Sequence, residues 1–239
     1  MAHISRKELK KDEIAETLAH GAEAVISHTR MLWIGGGVAL GVILAVVGWR
    51  FWSEREAVKA TAALEEAMHV FEARIRAVGE PEEPGEVTYV EEKNKYEDAA
   101  KKFSEVADQY SRTRPGQVAR YYAALSLLRL ERTDEAAQKL REVERSGADE
   151  YAALARFQLA KVYAKTGKDA DAQKLFKQLI EHPTAFVPKP MAMLALADHY
   201  RKTNREEASK LYDQIKAEYP DSAVADEAEK RLEDLRTRT

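Results

Sequence analysis

Cysteine is absent from all 239 residues. That excludes disulfides, thiolate metal sites and a cysteine nucleophile, and it suits the cytosol and a bacterial periplasm equally. A basic excess is also lacking: Lys and Arg number 38 against 41 Asp and Glu, a net charge of −3. From Ser53 onward the balance is 32 cations against 36 carboxylates. Binding a polyanion requires a basic face that releases counterions, so nucleic acid is not an expected partner. No two of the six histidines (His3, His20, His28, His69, His182, His199) stand three or four residues apart. No helix therefore presents a metal pair, and HExxH is missing. There is no GxSxG, and no glycine-rich loop follows a strand. His199 beside Asp198 comes nearest to an acid–base couple, and a surface or hydrogen-bonded histidine explains it more simply. These lacks predict no enzyme, no cofactor and no metal centre.

What the chain does have is one uncharged run. Residues 31–49, MLWIGGGVALGVILAVVGW, hold 19 positions without a charge in a sequence that is 33% charged. As a helix at ~1.5 Å per residue this run covers about 28 Å, close to the ~30 Å hydrocarbon core of a bilayer. Trp33 stands at one edge, Trp49 and Trp52 at the other, with Arg30 and Arg50 as brackets. Indole rings favour the headgroup boundary, and long cations reach out to it. A cleaved leader does not fit, because 30 mostly polar residues come first and GWRFW follows. The pattern predicts a spanning helix over 31–52. Within it Gly37, Gly41 and Ala45 recur at every fourth position, a small-residue stripe along which a second helix can pack in lipid. Glycine is common in such helices, so a homodimer and an unpaired helix both fit.

The short tail 1–30 carries Arg6, Lys7, Lys10, Lys11 and Arg30 among five carboxylates. Long translocated domains escape the positive-inside count, so this tail decides orientation and favours the cytoplasm for itself. Ser5 and Glu8 have capping-box spacing. Leu9, Ile14, Leu18 and Val25 then share part of a helical face, predicting a short amphipathic helix.

From Ala57 onward the apolar spacing is helical, with no strand alternation. The chain also repeats itself. Ala99, Ala136, Ala172 and Ala208 are separated by 37, 36 and 36 residues. Four positions on stand Phe103, Leu140, Phe176 and Tyr212; three further stand Val106, Val143, Leu179 and Ile215. The preceding helices repeat as well, through Ala123-Ala124, Leu159-Ala160 and Leu196-Ala197, followed by Leu127, Tyr163 and Tyr200. Gly167 and Asn204 tolerate the left-handed conformation that closes a helix, whereas Glu131 departs from this. The stretch GEPEEPGE at 79–86 reads as an exposed, mobile, solvated connection rather than a metal site. After Pro220, Asp221 or Ser222 can cap a last helix with Ala225, Ala228, Leu232 and Leu235 on one face, covering the end of the stack.

This arrangement resembles the tetratricopeptide repeat over residues 93–222, with Pro220 where that family's closing proline falls. The resemblance implies stacked antiparallel helix pairs whose first helices line a concave, protein-binding surface. Its groove positions fall on Val118, Tyr121, Leu125 and Leu128; on Leu154, Phe157, Lys161 and Lys165; and on Met191, Leu194, Asp198 and Arg201. Tyr121, Phe157 and Leu194 are equivalent in successive repeats, which implies a stepped apolar stripe with a charged margin. Core packing of some of them, or cover by the chain's own first helix, fits the same pattern.

A narrower resemblance lies beside the membrane segment. A short tail, one spanning helix ending in GWRFW at 48–52, then SEREAVKATAALEEAM and repeat hairpins look like the bacterial YfgM-type ancillary subunits of the SecYEG translocon. That likeness implies an inner-membrane protein with its N-terminus in the cytoplasm and its repeats in the periplasm. Implied partners are translocon subunits, periplasmic chaperones or nascent polypeptides. The ending YPDSAVADEAEKRLEDL is similar to repeats of cell-envelope and cell-division coordinators, which gives one rival reading. A self-assembling structural oligomer is another. The expected layout is all-α. It comprises a cytoplasmic tail (1–30), a transmembrane helix (31–52), a first solenoid helix with an acidic loop (53–92), tetratricopeptide hairpins (93–221) and a C-terminal capping helix (222–239).

Overall fold

The computed structural model describes residues 6–81, 83–146 and 149–237, with backbone alone for 6–33, 146 and 149. In chain order the elements are α1 (Arg6–Glu72), β1 (Arg74–Ile75), β2 (Thr88–Tyr89), α2 (Glu92–Gln109), α3 (Arg114–Arg129) and α4 (Thr133–Ser146). Then come α5 (Asp149–Lys165), α6 (Asp169–Glu181), α7 (Lys189–Thr203), α8 (Arg205–Glu218) and α9 (Ala223–Thr237). Contacts divide the chain into two compact units, Met1–Arg55 and Glu56–Thr239.

In the first unit, every large apolar side chain from Ile34 to Trp52 is between 53% and 63% exposed. A core helix hides at least one face, and this stretch hides none. It is long and apolar enough to cross a membrane. Trp49 lies 5.9 Å from Trp52, and the Arg55 guanidinium sits 4.4 Å from the Phe51 ring centre. Nothing stands within 4 Å of a side chain grown from Gly37 or Gly41, so the small stripe is open. The backbone of 6–33 is helical. The Ser5 cap lies outside the described residues, as do the side chains of Arg30 and Trp33 and of the amphipathic set Leu9, Ile14, Leu18 and Val25.

The second unit is a stack of helix pairs. The sequence period becomes its core: Ala99, Ala136, Ala172 and Ala208 are fully buried. Phe103, Leu140, Phe176 and Tyr212 are at most 1% exposed, and Val106, Val143, Leu179 and Ile215 at most 6%. An alanine at the crossing lets two helices approach, and the bulky residue one turn later fills the space beside it. Each such large side chain contributes roughly 1.5–3 kcal/mol by leaving water. The end of α1 joins this stack through Ala67 and Val70, which pack with Phe103 and Val106. From α2 to α9 each helix packs on the next, while α3, α5, α7 and α9 also touch next-but-one and so form one layer. Helix α9 covers the last core face with Ala225, Ala228, Leu232 and Leu235, all buried, and the Ser222 hydroxyl accepts its Ala225 N–H at 3.1 Å.

The turns follow the expectations in part. Gly167 is left-handed at φ 76, and Glu131 takes the same conformation at φ 59 although it is neither Gly nor Asn. Asn204 differs from expectation. It is extended at φ −154, and its side-chain oxygen accepts the Glu207 N–H at 3.2 Å, so it starts α8 instead of closing α7 left-handed. Before α3, the Thr113 hydroxyl accepts the Gly116 N–H at 3.1 Å, and a side chain at Gly116 would collide with the Tyr110 carbonyl.

The described residues of the 79–86 connection are exposed, apart from the half-buried Glu80, and its base is tied. β1 and β2 pair in parallel, Arg74 opposite Thr88 and Ile75 opposite Tyr89. Arg74 holds Glu80 at 2.7 Å and Glu86 at 3.5 Å, and Glu80 also accepts the Ala77 N–H at 2.9 Å. Two residues per strand are too few to leave an alternation in the sequence.

Candidate functional site

Helices α5 and α7 present side chains at one-turn intervals toward a shared cavity. Phe157, Lys161 and Lys165 descend one face of α5, and Met191, Leu194, Asp198 and Arg201 descend one face of α7. These seven groove-position residues line a cavity of about 560 Å³, a size that takes large side chains. Phe176 of α6 floors it with Phe157, the rings 6.0 Å apart and edge to face. Arg231 of α9 closes one end.

The electrostatics are lopsided. The lining holds Lys161, Lys165, Arg201, Lys202 and Arg231 against a single carboxylate, Asp198. That carboxylate is occupied: the Tyr212 hydroxyl donates to it at 2.7 Å, and the Arg231 guanidinium pairs with it. Arg231 also holds Glu227 at 2.7 Å, and its partial burial lowers its pKa. Desolvation pushes the Tyr212 phenol above its ordinary range, keeping it a neutral donor. Lys161 lies with its ammonium 5.7 Å from the Phe157 ring centre. His199 also lines the cavity; its side chain is 3% exposed, and Nε2 has no hydrogen-bond partner, standing 3.7 Å from an Asp169 oxygen.

The remaining groove positions lie outside this cavity. Val118 and Tyr121 are buried at 9% and 5%, Tyr121 between Tyr122 and Tyr151 at ring distances of 5.6 and 5.9 Å. Leu125, Leu128 and Leu154 are half-buried against the same core. The first step of the expected stripe is thus filled by the protein's own aromatics, and the second, Phe157, is 7% exposed and serves as floor. No residue of α1 lines the cavity among the described residues. Ala164, Phe176, Ala195, His199, Lys202 and Arg231 complete the lining. Ala164, Ala195 and Lys202 were within reach of the sequence as neighbours on the same helical faces. Arg231 carried no such signal, because it comes from the capping helix.

A second cavity of about 680 Å³ lies beside the tied loop, lined among others by Arg74, Glu86, Tyr89, Glu66 and Lys102. Its cations are spent: Arg74 on Glu80 and Glu86, Lys102 on Glu66 at 2.5 Å. The α5–α7 cavity differs in keeping unspent charge beside an apolar floor.

Comparison with known proteins agrees with the architecture. A family model described as a tetratricopeptide repeat-like domain matches residues 29–189, and one described as a tetratricopeptide repeat matches 157–223. No curated protein matches the chain. Among solved structures it is similar to a putative kinesin light chain of Podosopora anserina with nearly identical repeats of this type, at 15% identity, over 75% of this chain and 86% of that one, TM-score 0.52. A singly substituted form of that protein aligns at 16% identity over 75% and 93%, TM-score 0.50. Both share the fold. YrrB, described as a tetratricopeptide repeat protein with an unusual peptide-binding site, aligns at 25% identity over 58% and 68%, TM-score 0.44.

Proposed function

The chain belongs to the tetratricopeptide repeat-like domain family, and from that premise we propose that it is a membrane-tethered scaffold whose α5–α7 groove holds segments of other proteins. The observation that carries this reading is the cavity of about 560 Å³ on the layer shared by α3, α5, α7 and α9. Seven side chains from the family's groove positions line it. An apolar floor supplies affinity by leaving water, and the polar margin sets register. The work is binding, which needs no group poised for proton or group transfer.

The exposed apolar stretch from Ile34 to Trp52 supports anchoring, since a surface of that kind in water favours aggregation over solubility. A tether raises the effective concentration of the repeats near membrane partners, so weak groove contacts suffice. The narrower assignment rests on the juxtamembrane resemblance. In it the protein is an ancillary subunit of the inner-membrane translocon, N-terminus in the cytoplasm and repeats in the periplasm, contacting translocon subunits, periplasmic chaperones or nascent polypeptides. The open stripe of Gly37, Gly41 and Ala45 favours one second reading, a self-assembling oligomer.

One experiment separates these. A photocrosslinking amino acid replaces Leu194 in the full-length protein in its membrane, with Lys174, exposed on α6, as control. The scaffold reading expects adducts to translocon, chaperone or nascent chains from position 194 and not from 174. Adducts only to a second copy, lost in Gly37→Ile/Gly41→Ile, would establish the oligomer instead. Protease accessibility in spheroplasts fixes the side on which the repeats lie.

A further inference from the structure

We infer that the α5–α7 cavity selects acidic polypeptide segments that carry a large apolar residue between their carboxylates. This rests on the groove reading above and adds the chemistry of the occupant. Four cations frame the opening: Lys161 and Lys165 one turn apart on α5, Arg201 and Lys202 side by side on α7. All four are exposed, and among the described residues none of them makes an ion pair. Elsewhere in the unit Lys102, Arg132, Lys189 and Lys210 each hold a carboxylate within 3.0 Å, whereas these four converge on one opening. The chain as a whole is net negative at −3, so the local excess of positive charge is a property of this opening.

The one carboxylate in the lining does not oppose an anion. Asp198 is neutralised by Arg231 and by the Tyr212 hydroxyl. The capping helix thereby removes the only negative charge from the groove, a role beyond covering the end of the core. Below the cations lie Phe157, Phe176, Met191 and Leu194. An anion without an apolar group would satisfy the rim and leave this floor in water. An apolar segment without carboxylates would fill the floor and leave four cations unanswered. A chain with both meets the whole surface, and its charge also speeds encounter. The occupant is a polypeptide, because side chains on a chain supply carboxylates and a bulky apolar group at fixed spacing.

The test uses full-length protein in neutral detergent micelles and three fluorescent, end-blocked peptides. One has a single Phe flanked on each side by Glu, one has Lys in place of every Glu, and one has Ser in place of Phe. Fluorescence anisotropy should show the Glu–Phe peptide binding at least about tenfold more tightly than either other, with affinity falling as salt rises. In the Lys161→Glu/Lys165→Glu variant that preference for Glu over Lys should vanish or reverse, with an unchanged circular-dichroism melt. Equal binding of the Glu and Lys peptides overturns the inference. So does complete displacement of the peptide by short-chain phosphatidylglycerol at lower concentration, which would reassign the opening to lipid headgroups. If Leu194 adducts form in cells but the peptides show no charge preference, the groove reading stands and this inference falls. If neither adducts nor binding appear, both fall.

Discussion

Val42, Ile43 and Leu44 in the first unit are 58%, 57% and 63% exposed, whereas Val143, Ile215 and Leu140 in the second are at most 1% exposed. The residue types are the same and both sets lie on helices. What differs is their arrangement along the chain. An apolar residue at nearly every position gives a helix no polar face, so no single neighbour in water can satisfy it. Apolar residues at the helical period leave a polar face outside and one stripe to bury. Contiguity makes a helix long and apolar enough to cross a bilayer, and periodicity selects another helix.

The comparison breaks most visibly at the contiguous apolar stretch. Arginine at a helix centre costs about 2.5–3.5 kcal/mol of insertion free energy, so Val42→Arg with Val46→Arg should strip the full-length protein from carbonate-washed membranes. Retention equal to the unaltered chain would mean that some other feature holds it there. In the repeats the opposite deletion is informative. Phe176→Ala removes a side chain 1% exposed and should lower unfolding free energy by about 3–5 kcal/mol in urea titration. A loss below about 1 kcal/mol would show that the stack does not depend on its periodic core.

The smallest expected effect concerns pH. Desolvation first, then the hydrogen bond donated to Asp98 at 2.9 Å, push the Tyr89 phenol from 10.0 up to about 12. A raised pKa means that its contribution is fully present below pH 10 and is lost as pH climbs toward 12. Tyr89→Phe should therefore flatten the alkaline decline of stability in that window, followed by thermal melts across pH. An unchanged decline would place Tyr89 in ordinary solvent.

The repeat frame was legible because a core position must recur whenever the same helix pair recurs; Ala99 to Ile215 show it in three positions of four copies. Asn204 was harder. The same residue type serves a left-handed turn and a helix N-cap, and only the neighbouring Glu207 N–H decides between them. Tyr121 and Phe157 occupy equivalent repeat positions, yet Tyr121, on α3, is closed in by Tyr151 of α5 while Phe157 floors an opening. A difference of that kind depends on what arrives from the adjacent repeat, which equivalence of position does not encode. The paired strands flanking 79–86 were invisible for a simpler reason: two residues cannot display a period.

Taken alone, the order of residues determined two things here: that one stretch has no polar face to offer water, and that the rest must pair and stack at a step of 36 or 37 residues. Both follow from local chemistry, since backbone geometry turns spacing into faces. The tertiary structure decided where the stack leaves room. The opening is one-sided in charge because Arg231 and Tyr212, distant in sequence from Lys161, meet Asp198 beside four cations and an apolar floor. Coincidences among separate helices are fixed by packing, which no single helix specifies.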